Sequence, residues 1–262
     1  MKALKTLLLI FALIGIAFLM FSLGKKGNLQ SPKPIDSETT SGDKTQKVQG
    51  VSTLKLGNEE FVVSVVKVDD PSRIKLYPNF SDQKTSEEII NEGMCKNLIS
   101  GGFYSETYSP IGLFISERKI INYREQNATF NGFFVLSEGN IPEILNEVRE
   151  EEYRIGLQSG PILFLNSNPL TLSLKNDERA RRNIIAVNKD SDVLFITVYK
   201  YDSVFSGPTL LSLPGILTSI QELTGEKIVS ALNLDGGAAS TFWGEGVILR
   251  ELSPIGSYFC IN

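Results

Sequence analysis

Asp235 ends the apolar run of "ALNLDGGAAS", residues 231–240, and two glycines and two alanines follow it. The run reads as a buried strand that delivers one carboxylate to its end. Gly236 and Gly237 permit positive φ and let a ligand approach the backbone N–H groups, an arrangement suited to an anion such as phosphate. Ser240 and Thr241 add hydroxyl donors. A plain Asp-Gly turn accounts for the same residues equally well. The spacing is not GxGxxG, so no dinucleotide fingerprint is present.

Three further stretches carry chemistry-bearing residues. In "LISGGFYSETYSPIGLFI", Ser100 precedes Gly101 and Gly102, then Phe103 and Tyr104. Aromatic faces pack against the apolar face of a pyranose, and two glycines leave room for the sugar. In "LQSGPILFL", Ser159, Gly160 and Pro161 lie between two apolar runs, as a turn or an edge-strand bulge does. In "NDERARRN", Arg182 and Asn183 stand directly before "IIAV". If Ile185 and Val187 face one side of a strand, Asn183 falls on that side and Arg182 on the other. An arginine at a strand mouth can hold phosphate or carboxylate through two N–H groups, although such charged segments are usually solvated loops.

Composition removes many alternatives. The chain has no histidine, which excludes Ser-His-Asp and Cys-His catalysis, His-ligated zinc and the usual neutral-pH proton shuttle. Cys95 and Cys260 are too few for a disulfide framework or a four-thiolate metal site; they form one bridge in an exported domain or remain two free thiols. No metal or cofactor is required by these residues. Residues 1–50 carry seven Lys against three Asp or Glu, whereas residues 51–262 carry 19 basic and 27 acidic groups. An acidic domain without a basic run does not suit nucleic acid, whose binding rests on phosphate neutralisation.

The elements that must position these residues follow from periodicity. Lys2 and Lys5 precede an uncharged apolar run over residues 7–23, which reads as a signal anchor, or as a signal peptide removed on export. The positive flanks lean toward an inside N-terminus, so the domain would face outward, membrane-anchored or secreted. Residues 25–50 are Ser, Thr, Pro, Gly and Lys and read as a flexible polar linker. This sets boundaries at 1–24, 25–50 and a single domain over 51–262. Within the domain, "STLKLGNEEFVVSVVKVD" predicts two strands with a turn at Gly57–Asn58. "KTSEEIINEGMCKNLIS" predicts a helix capped by Thr85 or Ser86, and "IPEILNEVREEE" a second, short one. "RNIIAVNKDSDVLFITVY" predicts a hairpin. "LPGILTSIQELTG" predicts a helix that stops at Gly225, and "KIVSALNLD" a buried strand. Strands outnumber helices without alternating with them, so the fold class is α+β: a mixed β-sheet with a few packed helices, behind an N-terminal hydrophobic helix.

Taken together, "ISGGFYSETYSPIGLFI", "LQSGPILFL", "RRNIIAV" and "ALNLDGGAASTFW" resemble the phosphodiester glycosidase family, over about residue 60 to the C-terminus. Its pattern runs roughly Asn-Gly-Gly-Phe/Met-Phe/Tyr, Gln-x-Gly-Pro, Arg-Thr/Asn-x-x-Gly and Asn-Leu-Asp-Gly-Gly-x-Ser-Ser/Thr. Gly101, Gly102 and Phe103 match the first block, and Ser159, Gly160 and Pro161 the second. Arg182 and Asn183 match the third; Asn233, Asp235, Gly236, Gly237, Ser240 and Thr241 match the last. Ser100 stands where the family commonly has Asn, Ile184 or Ala186 where Gly is usual, and Ala239 where Ser is frequent.

The resemblance implies hydrolysis of a sugar-1-phosphodiester, N-acetylglucosamine-like, on an envelope or extracellular glycoconjugate. A phosphate monoester leaves more readily than a plain alkoxide, so one carboxylate can suffice where ordinary glycosidases use two. Asp235 would act as general base, nucleophile or electrostatic partner, and Arg182 would hold the phosphate. Backbone N–H groups of Gly236–Gly237 and Gly101–Gly102 would line the pocket. The alternatives are a protein of this fold that binds a glycopolymer without cleaving it, and a structural envelope protein.

Overall fold

The computed structural model describes residues 50–148, 153–244 and 246–262 of the 262-residue chain. The apolar run at 7–23 and nearly all of the polar tract lie outside the described residues. Among the described residues no helix is long and apolar enough to cross a membrane.

The largest sheet has seven strands in the order β1 (Gly50–Leu56), β2 (Glu59–Val68), β13 (Val193–Lys200), β12 (Arg182–Asn188), β14 (Ile228–Asn233), β10 (Ile162–Leu165) and β11 (Asn168–Pro169). A second sheet runs β16 (Val247–Leu249), β15 (Phe242–Gly244), β4 (Asn97–Ser100), β17 (Ser257–Ile261), β3 (Ile74–Pro78). A third runs β6 (Lys119–Asn122), β5 (Phe114–Ser116), β9 (Tyr153–Ser159), β7 (Gly132–Ser137), β8 (Pro142–Leu145). Among the described residues two α-helices accompany them, α1 (Ser86–Asn91) and α2 (Leu213–Thr224). The expectation of a mixed sheet is corrected: the strand pairs of all three sheets are antiparallel.

The central strands of the large sheet are apolar on both faces because both faces are covered. On one face Ile185, Val187, Phe195 and Leu232 meet Ile99, Phe242 and Phe259 of the second sheet and Phe134 and Leu157 of the third. On the other face Ile184, Ala186, Ile196 and Ala231 meet Leu213, Ile216, Leu217 and Ile220 of α2. Each of these fully buried helix side chains contributes roughly 1.5–3 kcal/mol. Gly225 ends α2 at φ 74°, a left-handed conformation open to glycine without strain.

Several local expectations hold. The hairpins β1–β2 and β12–β13 form as their patterns require, and Thr85 caps α1 through a reciprocal capping box with Glu88. Two expected helices differ. The segment 84–100 is helical only through Asn91; Gly93 turns left-handed at φ 77°, and Asn97–Ser100 is recruited as a strand between β15 and β17. Pro142–Leu145 is a strand as well, paired with β7 after a turn in which Asn140 has φ 60°. Its proline sits on the sheet edge, where a missing N–H is tolerated.

Candidate functional site

The large sheet and the second sheet meet where several strand ends come together. β14 runs antiparallel to β12, so the end of one lies beside the start of the other, with Leu234 donating to the Asn183 carbonyl at 2.8 Å. The chain then crosses to the second sheet through residues 235–241, and Ser100 N–H donates to Thr241 O at 3.1 Å. Asp235 stands at this crossing. Its N–H donates to Gly101 O at 2.9 Å, which ties it to the end of β4. Asp235 is partly exposed, whereas Asn233, Leu234, Ser240 and Thr241 around it are buried.

Burial raises the Asp235 pKa to about 8, against a smaller lowering from the Gly236 N–H that donates to it. Crowding by protein on most sides penalises the ionised form. Tyr104 faces the same acid: burial and the Asp235 charge raise its phenol pKa, and its hydroxyl donates to Pro254 O at 2.5 Å. The Tyr104 ring stacks on Tyr108 with centroids 5.5 Å apart.

The other residues singled out in the sequence form a polar network behind Asp235. Ser100 is buried; its hydroxyl accepts from Asn183 Nδ2 at 2.8 Å and donates to Asp235 O at 3.1 Å. Asn183 also donates to Thr241 O, and the Thr241 hydroxyl donates to Leu249 O. On the β9–β10 side, the Ser159 hydroxyl donates to Asn233 O at 2.7 Å, and Asn233 Nδ2 donates to Gly160 O at 2.9 Å. The carboxamide oxygens of Asn183 and Asn233 are buried without a protein partner. Phe103, half-buried, stacks on Phe130 at 4.5 Å.

The glycines are present for close approach as well as for freedom. A Cβ on Gly236 would stand 2.7 Å from Arg181 O, and one on Gly160 would stand 2.3 Å from Thr129 O. Gly237 has φ 64°. Their N–H groups are engaged within the protein: Gly101 N donates to Ser257 O, Gly102 N to Ser257 Oγ and Gly237 N to Arg181 O.

Alternation along the chain separates Arg182, the first residue of β12, from Arg181 just before it. Arg182 lies on the face opposite Asn183; its guanidinium donates to Pro208 O at 3.0 Å and to Glu178 O, with Asp177 3.7 Å away. Its Cδ lies 3.8 Å from where a Gly236 Cβ would be, so it backs the turn after Asp235. Arg181 is fully buried and binds the 237–240 segment, donating to the Ser240 hydroxyl at 2.7 Å and to Ser240 O and Arg250 O. Burial holds its pKa down to about 10, so it stays charged at neutral pH. Sequence reasoning named Tyr104 as an aromatic beside the glycines but passed over Arg181, Ser257 and Tyr108 as parts of the site. The period-two pattern of "ARRN" was the available signal for Arg181; nothing local marks Ser257. Among the described residues, no group of three or more Cys, Asp or Glu side chains comes together to hold a metal ion.

Comparisons agree with this architecture. A model of the phosphodiester glycosidase family matches residues 94–257. The fold is similar to the zebrafish N-acetylglucosamine-1-phosphodiester alpha-N-acetylglucosaminidase catalytic domain, auto-inhibited by its pro-peptide, at 14% identity and TM-score 0.63 over 81% of each chain. It is also similar to a hypothetical protein from Synechocystis, at 14% identity and TM-score 0.56 over 80% of this chain and 61% of that one. No curated protein sequence matches.

Proposed function

The chain belongs to the phosphodiester glycosidase family, and from that membership we propose that it hydrolyses a sugar-1-phosphodiester, N-acetylglucosamine-like, on an envelope or extracellular glycoconjugate. Water attacks the anomeric carbon, the bond to the phosphate oxygen breaks, and a phosphate monoester leaves with the electron pair. The observation that carries this reading is Asp235, a carboxyl held where β4, β12 and β14 converge with a pKa raised to about 8. A base is most effective when its pKa lies near the working pH, so Asp235 takes the proton of the attacking water. Arg182 is a positioning residue in this scheme. With its guanidinium on Glu178 and Pro208 carbonyls, it holds the Gly236 turn rather than the phosphate.

The domain is proposed to work outside the cytoplasm, membrane-anchored through residues 7–23 or secreted. The Cys95–Cys260 disulfide supports this, since such bonds persist in oxidising compartments. A second reading, a glycopolymer-binding protein without turnover, is favoured by Ser100 at a position where the family commonly has Asn. Its short hydroxyl is engaged by Asn183 and the Asp235 carbonyl.

The test is release of free sugar from both anomers of an N-acetylglucosamine-1-phosphodiester by the purified full chain, beside Asp235→Asn. Release that disappears in the variant supports the glycosidase. A substrate-induced rise in melting temperature without release supports the binding protein.

A further inference from the structure

A cleft of about 550 Å³ is walled by the connection between β6 and β7, the residues after β8, Phe133 and Gln158. Its volume is within the range of small-molecule sites, roughly 300–1,000 Å³. The lining includes Arg124 against Glu125 and Glu147, so it has no surplus of positive charge for a phosphate. What it has instead is carboxamides: those of Gln126 and Asn146 are exposed, whereas the Asn127 and Asn131 oxygens accept from backbone N–H groups of Thr129, Phe130 and Ile162. A carboxamide presents donor and acceptor in one plane and pairs with hydroxyl groups that are themselves both. Phe130 supplies an apolar border against which the C–H face of a pyranose can rest.

The cleft is held in shape from beneath. Buried Gln158 accepts from Leu113 N at 3.0 Å and Glu125 N at 3.1 Å, and donates to Glu125 O and Phe130 O at 2.8 Å each. The Asn127 carboxamide oxygen accepts from Thr129 N and Phe130 N. With the loop fixed at both ends, a ligand meets walls already ordered, and binding loses less free energy to ordering. The same loop is joined to the candidate site. Phe130 stacks on Phe103, two residues from the Gly101 carbonyl that holds Asp235, and Asn131 Oδ1 accepts from Ile162 N just past Gly160.

We propose that this cleft is a carbohydrate subsite for a neutral, hydroxyl-rich saccharide, the glycan portion of the substrate that lies beyond the reacting sugar phosphate. Only its link to the substrate rests on the glycosidase reading; saccharide binding stands apart from it. The chain would then prefer a diester carried on a glycan to a small one.

The test is a saturation-transfer NMR titration of the full chain with two neutral probes, triacetylchitotriose and maltotriose. It compares wild type with a Gln126→Ala/Asn146→Ala double variant and with Asp235→Asn. Both cleft positions are exposed, so the double variant keeps the fold. Millimolar binding of at least one probe is expected, weakened about tenfold or more in the double variant. Asp235→Asn should bind as wild type does. Binding of neither probe, or binding indifferent to the double variant, overturns the proposal. Failure of the glycosidase reading shows separately, as absent turnover with probe binding intact.

Discussion

Replacing Asp235 by Asn isolates what it costs the fold to keep a titrating carboxyl at this crossing. Asn preserves the shape and removes the proton equilibrium. The folded pKa of about 8 stands against an ordinary 3.8, so between those limits the folded protein holds a proton that the unfolded chain has released. The unfolded state then binds fewer protons, and stability falls as pH rises from about 4 to about 8. The wild type loses ground to Asp235→Asn across that window and matches it at the acid end. If the whole shift is realised, the loss at about pH 8 is roughly 5 kcal/mol. Asp235 retains partial exposure, so this is an upper bound, and half of it is about 2–3 kcal/mol. In a domain of this size each kcal/mol moves the melting temperature by about 2–4 °C. Asp235→Asn should therefore melt about 5–10 °C above wild type at about pH 8 and level with it at about pH 4. Circular dichroism melts of both full chains at these two pH values make the comparison. A difference that does not change with pH, or a wild type that gains on the variant as pH rises, refutes the reasoning. The acid would then not be held protonated by its surroundings.

The same titration should govern catalysis: kcat/KM should rise with pH and level off above about 8, and a profile that falls through that value overturns the base role. Gly236→Ala should lower stability by about 1–3 kcal/mol and reduce turnover, because the new Cβ meets Arg181 O at 2.7 Å; Gly215→Ala, in open space on α2, serves as the harmless control in the same melts. A paired Cys95→Ser/Cys260→Ser variant should unfold about 2–5 kcal/mol more easily in urea, because the bridge closes a span of 165 residues; equal stability of the two chains would deny the bridge any role.

Much of the fold was written in short-range pattern. The apolar spacing over 213–224 and the stop at Gly225 define α2, and Thr85 with Glu88 defines the start of α1. Alternation along "RRNIIAV" assigned Asn183 and Arg182 to opposite faces, as their hydrogen bonds require. Those features depend on neighbours within a turn or a strand, and local propensity and periodicity encode them. The resemblance added the family, and the four blocks, three of them glycine-bearing, are brought to one crossing.

Other features depend on which distant segments share a face, and no window of sequence holds that. Asn97–Ser100 became a strand because β15 and β17, more than 140 residues later, offered it hydrogen-bond partners on both edges. The N–H groups of Gly101, Gly102 and Gly237, which looked available for an anion, are engaged by Ser257 and Arg181, residues whose approach only the sheet packing sets. The choice between one bridge and two thiols for Cys95 and Cys260 was settled by the same neighbourhood, as the C-terminal strand reaches the start of β4. Sequence by itself determined an acid at a strand end beside a bare backbone. The tertiary structure decided how deeply that acid is buried, and so its protonation, because the desolvation of a carboxyl is the summed effect of every segment packed around it.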